Sequence, residues 1–73
     1  MRFSKAEPYQ SHGHSYRLWV VQTSDGYRAE TIDNNEKTIS TSAIAYQSAN
    51  EALNAARAAA DADADAQRFL KVS

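Results

Sequence analysis

Apolar and polar residues in the first half of the chain follow the pattern of antiparallel strands. Residues 16–22, YRLWVVQ, are mostly aromatic or β-branched, and residues 27–32, YRAETI, continue in the same way. Asp25 and Gly26 stand between these two runs, and an Asp-Gly pair is typical of a two-residue type I′ loop. The pattern therefore predicts a β-hairpin with Asp25 and Gly26 at its tip.

A two-residue loop at this place determines which residues of the hairpin share a face, because strand side chains alternate. Ser24 would pair with Tyr27, and Val20 with Thr31. One face then contains no charged residue, and we predict that it faces the core: Tyr16, Leu18, Val20, Tyr27, Ala29 and Thr31. The other face carries Arg17, Trp19, Val21, Arg28, Glu30 and Ile32.

The second half of the chain predicts one more strand and a helix. Residues 33–37 are a polar turn, and residues 38–47, TISTSAIAYQ, favour a strand. Ser48 and Glu51 form a capping box that begins a helix at Ala49, and the following residues are rich in alanine. The residues at helical spacing that should face the sheet are Ala52, Leu53, Ala56, Ala59, Ala60 and Asp63.

Asp61, Asp63 and Asp65 place negative charge in the second half of this helix, where it opposes the helix dipole. We therefore expect the helix to fray within residues 62–67. The resulting fold class is α+β: a three-stranded antiparallel β-meander with one C-terminal α-helix packed on one face (βββα). Residues 1–15 are expected to be a flexible N-terminal arm, residues 16–66 the βββα domain, and residues 67–73 a C-terminal tail, with continuation of the helix as the alternative. Phe69 and Leu70 should dock on the edge of the domain or on a second copy.

Composition limits the function classes. The chain has 73 residues and no cysteine, so disulfides and thiolate metal sites are excluded. Alanine supplies 14 of the 31 apolar residues, which leaves little bulk for the walls of a catalytic cleft. The net charge of −1 provides no general attraction to nucleic acid or to anionic lipid. No signal peptide or membrane-spanning run is apparent, so we expect a soluble, cytoplasmic protein that is not an enzyme and has no membrane partner.

Two polar clusters could bind a metal, and neither has a complete ligand set. His12 and His14 would point to one side of an extended segment, but no third ligand is near them in the sequence. The acidic run from Asp61 to Asp65 resembles the start of a calcium loop, but the glycine and glutamate that such a loop requires are absent. We therefore predict a polar arm and a solvated acidic helix end, with no metal, cofactor or catalytic residue.

The face opposite the predicted core holds the most informative cluster. We predict an interaction surface formed by Arg17, Trp19, Val21, Arg28 and Ile32. Tryptophan and arginine are enriched among the residues that anchor protein interfaces, which favours a homodimer or another protein as partner. An aromatic ring flanked by arginines also suits nucleic-acid binding. In the remaining alternative, the N-terminal arm covers Trp19 through Phe3 or Tyr9.

Two segments resemble a known family. Residues 25–32, DGYRAETI, and residues 48–57, SANEALNAAR, are similar to the hairpin and helix start of the HicB-type antitoxin domain over roughly residues 16–60. The chain also resembles small bacterial proteins with the same βββα plan, which implies a fold and no activity. The sequence thus predicts a non-enzymatic protein-interaction or self-associating module. The alternative is a HicB-like nucleic-acid-binding regulator or antitoxin.

Overall fold

The computed structural model describes residues 4–72, and the side chains of residues 4–67. Four antiparallel strands form one sheet in the order β1-β2-β3-β4, and one helix follows them. Their bounds are β1 Ser4–Ser11, β2 His14–Thr23, β3 Gly26–Asp33, β4 Thr38–Thr41 and α1 Ala49–Val72. The predicted α+β class, with a meander sheet followed by a C-terminal helix, is confirmed. The expected roles of Phe3, Phe69 and Leu70 lie outside the described side chains.

The first strand corrects two predictions, the flexible arm over residues 1–15 and the count of three strands. β1 pairs with β2 along its whole length, from Ser4 opposite Val21 to Ser11 opposite His14. His12 and Gly13 form the two-residue loop between them, with φ values of 50° and 81°. Positive φ at both loop residues is the geometry of a type I′ hairpin. The type I′ geometry expected at Asp25 and Gly26 therefore occurs in the first hairpin.

The second hairpin forms, but its loop lies one residue earlier than predicted. Thr23 pairs with Gly26, so Ser24 and Asp25 make the loop. Relative to the prediction, each β2 residue faces a β3 residue two positions earlier, as Val20 faces Ala29. A shift of two residues leaves every side chain on its original face, because strand alternation has a period of two. The predicted core face is thus retained.

Position 26 requires glycine for two reasons, its backbone conformation and the close approach of Tyr46. Its φ is +142°, and a Cβ atom there would clash with the carbonyl oxygen of Tyr46. This close approach exists because Tyr46 bridges back to Tyr27, with N–O distances of 2.7 and 2.8 Å in the two directions. The segment that leads into the helix is thereby attached to the start of β3.

The strand predicted over residues 38–47 is shorter in the structure and ends at Thr41. Ser42 explains the end of the regular pairing. Its Oγ accepts a 3.0 Å hydrogen bond from the Ala29 amide, and its own amide donates to the Ala29 carbonyl at 2.9 Å. A side-chain oxygen therefore takes the place of the next carbonyl in the ladder.

The helix begins as predicted and ends later. The Glu51 amide donates to Ser48 Oγ at 3.2 Å, while the Glu51 carboxylate accepts from the Gln47 amide and not from the Ser48 amide, which is the usual donor in a capping box. The helix continues to Val72, so neither the fraying within residues 62–67 nor a separate tail from residue 67 is observed. Hydrogen bonds to Asp61 and Asp63, described below, account for this difference.

The core lies between the uncharged face of the sheet and the alanine-rich face of α1. The sheet contributes six buried residues, and the helix contributes five, four of which are alanines: Ser11, Tyr16, Leu18, Val20, Ala29 and Thr31, and Ala52, Leu53, Ala56, Ala60 and Ala64. Because alanine is small, the helix approaches closely enough for the buried Thr31 hydroxyl to donate to the Ala56 carbonyl at 2.9 Å. Within the described residues, every buried side-chain nitrogen and oxygen has a hydrogen-bond partner.

Candidate interaction surface

The sheet surface away from the helix, which we call the open face, gathers all five residues of the predicted interaction surface. Three cross-strand pairs between β2 and β3 form its centre: Arg17 with Ile32, Trp19 with Glu30, and Val21 with Arg28. β1 extends the face, because Ala6 lies opposite Trp19 and Pro8 lies opposite Arg17. The open face is therefore Ala6, Pro8, Arg17, Trp19, Val21, Arg28, Glu30 and Ile32.

Exposure along β2 separates the two faces of the sheet. Leu18 and Val20 have none of their surface exposed, whereas Trp19 between them retains 39%. Val21 and Ile32 are half-buried beside it. The open face therefore has a partly exposed apolar centre in the middle of the sheet.

The described part of the N-terminal segment does not cover Trp19. β1 lies beside β2 in the plane of the sheet and presents the small residue Ala6 next to the indole. Tyr9 lies on the other side of the sheet, where its ring packs against the core and its hydroxyl reaches the helix. The alternative in which Tyr9 covers Trp19 is therefore wrong.

Both arginines of the open face are engaged by carboxylates from neighbouring loops. Arg17 lies 3.3 Å from Glu36, and Arg28 lies 3.2 Å from Asp25. Arg28 also donates to the Ser42 carbonyl at 3.3 Å. The pKa of Asp25 is lowered, first by the hydrogen bond from the Thr23 hydroxyl and then by that from Arg28. These arginines thus already have anionic partners within the chain.

A second polar group, which we call the hydroxyl–carboxylate cluster, joins the helix to the first hairpin. The hydroxyls of Tyr9 and Ser11 both donate to Oδ1 of Asp61, at 2.9 and 2.6 Å, and the Tyr16 hydroxyl donates to Oδ2 of Asp63 at 2.9 Å. Sequence reasoning missed this cluster. The one available signal was the i, i+2 spacing of tyrosine and serine in residues 9–11, which puts both on one side of a strand.

Ionisation in the cluster favours a charged Asp61 and neutral Tyr9 and Tyr16. The hydrogen bond from Ser11, followed by that from Tyr9, lowers the pKa of Asp61. Burial, followed by the hydrogen bond to Asp63, raises the pKa of Tyr16 to about 12. These carboxylates therefore act as hydrogen-bond acceptors that hold the helix, which explains why the acidic run does not end it.

Two open cavities lie where β2 begins and β3 ends, with volumes of about 270 and 260 Å³. Both are lined by Ser15, Tyr16, Asp33 and Asn34. Asp33 Oδ1 accepts hydrogen bonds from the amides of Asn35 and Lys37, both at 2.9 Å, and so shapes the turn between β3 and β4. Asp33, the acidic group common to both cavities, therefore has structural partners within the chain.

The described residues show no group of three histidine, cysteine or acidic side chains placed to hold a metal ion. His12 occupies the loop of the first hairpin, and His14 begins β2. Among residues 4–72, no helix combines the length and the apolar character needed to span a membrane. Comparison with family models, curated proteins and solved structures finds no match for this chain. The resemblance to the HicB-type antitoxin domain accordingly stays a prediction.

Proposed function

We propose that this protein is a non-enzymatic interaction module that binds another protein surface through its open face. The observation that carries the proposal is the 39% exposure of Trp19 in the middle of the sheet, with Val21 and Ile32 beside it. A large aromatic residue with apolar neighbours and a polar rim is the usual arrangement of an interface anchor. Arg17 and Arg28 supply part of that rim.

The proposal assigns no catalytic role or cofactor to the side chains that have acid–base chemistry. Asp61, Asp63 and Tyr16 are hydrogen-bonded within the hydroxyl–carboxylate cluster, on the opposite side of the sheet from Trp19. Their hydrogen bonds connect the helix to the first hairpin. These side chains support the fold on which the interaction surface is built.

A HicB-like nucleic-acid-binding regulator is the second candidate, and one observation favours it. Trp19 lies between two arginines, and an indole with neighbouring guanidinium groups can stack on bases and contact phosphates. However, Arg17 and Arg28 are paired with Glu36 and Asp25, and Glu30 faces the same surface. Phosphates would have to displace these carboxylates, so a protein surface is the better supported partner.

Site-specific photocrosslinking in the cells that produce the protein tests this function. Trp19 is replaced by the photoreactive aromatic residue benzoylphenylalanine, and Ala62, which is exposed on the helix, is replaced in the same way as a matched control. We expect protease-sensitive adducts of higher mass from position 19 and few from position 62. Nuclease-sensitive adducts from position 19 would favour the regulator instead. Equal adduct formation from both positions, or none from position 19, would contradict the proposal.

A further inference from the structure

We infer that the partner of the open face is a second copy of this chain, bound face to face in a twofold-symmetric dimer. The inference rests on the proposed function and commits it to one partner. In a twofold interface the same patch meets itself, so the patch must be complementary to its own copy. The charges, edges and size of the sheet each support this partner.

The charges on and around the open face suit a copy of the same surface. Arg17 and Arg28 carry positive charge, and Glu30, which faces Trp19 across the strands, carries negative charge. Asp25 and Glu36 hold further negative charge beside the two arginines. A partner of strongly basic or strongly acidic character would meet like charges here, whereas a second copy carries the same balance of both signs.

The edges of the sheet are poor places for self-association, which leaves the face. Pro8 lies in the middle of the edge strand β1 and has no amide hydrogen to donate to a further strand. At the other edge, β4 is only four residues long. Strand addition at either edge would therefore form a short or interrupted ladder, so a second copy is expected to pack sheet against sheet.

The size of the face matches a small dimer interface. Strands of 8, 10, 8 and 4 residues, about 4.8 Å apart and with about 3.3 Å per residue, cover roughly 480 Å² per copy. Two copies would together bury about 1,000 Å², which is near the lower limit for a specific interface. We therefore expect a reversible dimer with a dissociation constant of about 1 to 100 μM.

The hydrophobic core on the helix side is small, so association with a second copy would add stability to the fold. Of the nine buried hydrophobic residues in the described chain, five are alanines. Domains of this length often need an additional source of stability, and association is one such source. Covering Trp19, Val21 and Ile32 would give the sheet a second apolar layer on its open side.

Sedimentation equilibrium of the purified full chain, from low micromolar to millimolar concentration, tests the inference. We expect wild type to pass from monomer to dimer across this range. Trp19→Ala and Ala6→Lys should raise the dissociation constant about tenfold or more, because the first removes the apolar anchor and the second places a charge beside it. Ala62→Lys makes the same change on the exposed helix surface and should leave the constant unchanged.

The variants are first compared with wild type by circular dichroism, so that loss of association is scored only for folded protein. If Trp19→Ala is unfolded, Ala6→Lys decides, because Ala6 is exposed on an edge strand and leaves the core intact. A wild-type protein that stays monomeric at millimolar concentration overturns the inference, as does a dimer that both open-face variants leave intact. If photocrosslinks from position 19 then reach a different protein, the proposed function stands and only the second copy is overturned.

Discussion

The Ser11 hydroxyl donates a 2.6 Å hydrogen bond to Oδ1 of Asp61, joining two residues that are 50 positions apart in the chain. Ser11 ends the first strand, and Asp61 lies in the middle of the helix. Tyr9 donates to the same oxygen from the same strand. Asp61 therefore connects the edge of the sheet to the helix at a place where the helix itself contributes only alanines to the buried cluster.

The first prediction concerns stability in acid. Because the pKa of Asp61 lies below its ordinary value of 3.8, ionised Asp61 stabilises the fold fully above that value, and the contribution is lost as the pH falls through the lowered pKa. Glu7 and Asp25 also have lowered pKa values and act in the same direction. We expect stability to fall between about pH 5 and pH 2, and Asp61→Asn to make this fall shallower.

Urea unfolding followed at several pH values measures this dependence. Ser11→Ala is the matched control, because it keeps the carboxylate and removes the hydrogen bond that lowers its pKa most. In that variant, titration of Asp61 by NMR should show a pKa closer to the ordinary value. If Asp61 titrates identically with and without the Ser11 hydroxyl, the cluster does not hold the helix in the way described.

The second prediction concerns stability in alkali. The pKa of Tyr16 is raised to about 12, so its neutral form is favoured in the folded protein. Its contribution is complete below the ordinary phenol value of 10.0 and is lost as the pH rises through about 12. Ultraviolet difference spectroscopy should detect a late-titrating tyrosine that disappears in Tyr16→Phe. That variant should also be less stable at neutral pH by about 1 kcal/mol, because Asp63 loses a hydrogen-bond donor.

Strand alternation predicted the two faces of the central hairpin even though the loop was misplaced. Leu18 and Val20 are buried and Trp19 is exposed, as an uncharged face opposite a charged face requires. β1 could not be predicted in the same way. It is an edge strand that carries Lys5, Glu7 and Pro8 and buries only Ser11, so its sequence has no apolar alternation to detect.

The open face could be predicted from the sequence, but its charge environment could not. The alternation of side chains along two paired strands is enough to place Arg17, Trp19 and Arg28 on one face. The carboxylates that pair with the arginines come from Glu36, which has a φ of 62°, and from Asp25 in the shifted loop. Both depend on loop conformations that local sequence does not determine. The length of the helix was missed for a related reason, since the partners of Asp61 lie on the unpredicted strand.

The third prediction compares the two glycines of the chain. Gly26→Ala should destabilise the protein by about 2 kcal/mol or more, because its φ of +142° is unfavourable for alanine and the new methyl group would meet the Tyr46 carbonyl. Gly13→Asn should cost less than about 1 kcal/mol, because the φ of +81° is near the region that asparagine tolerates and no atom lies within 4 Å of a Cβ there. Urea unfolding measures both values. Equal costs would show that the attachment of Tyr46 to β3 does not restrict position 26.

The fourth prediction applies one substitution to two neighbours on β2. Val20 has no exposed surface, so Val20→Ala should destabilise the monomer by about 2 kcal/mol through lost burial and the cavity left behind. Val21 lies on the open face, so Val21→Ala should cost less than about 0.5 kcal/mol at concentrations where the protein is monomeric. Chemical unfolding at low micromolar concentration measures both values.

The dependence of these costs on protein concentration distinguishes the two faces of the sheet, because only the open face is expected to be covered by association. Repeating the unfolding measurement near millimolar concentration should increase the cost of Val21→Ala, since a dimer that buries this side chain loses part of its interface. The cost of Val20→Ala should stay the same, because its environment is complete within one chain. If Val21→Ala is already as costly as Val20→Ala in dilute solution, the chain itself covers the open face, and the assignment of this face to a partner is wrong.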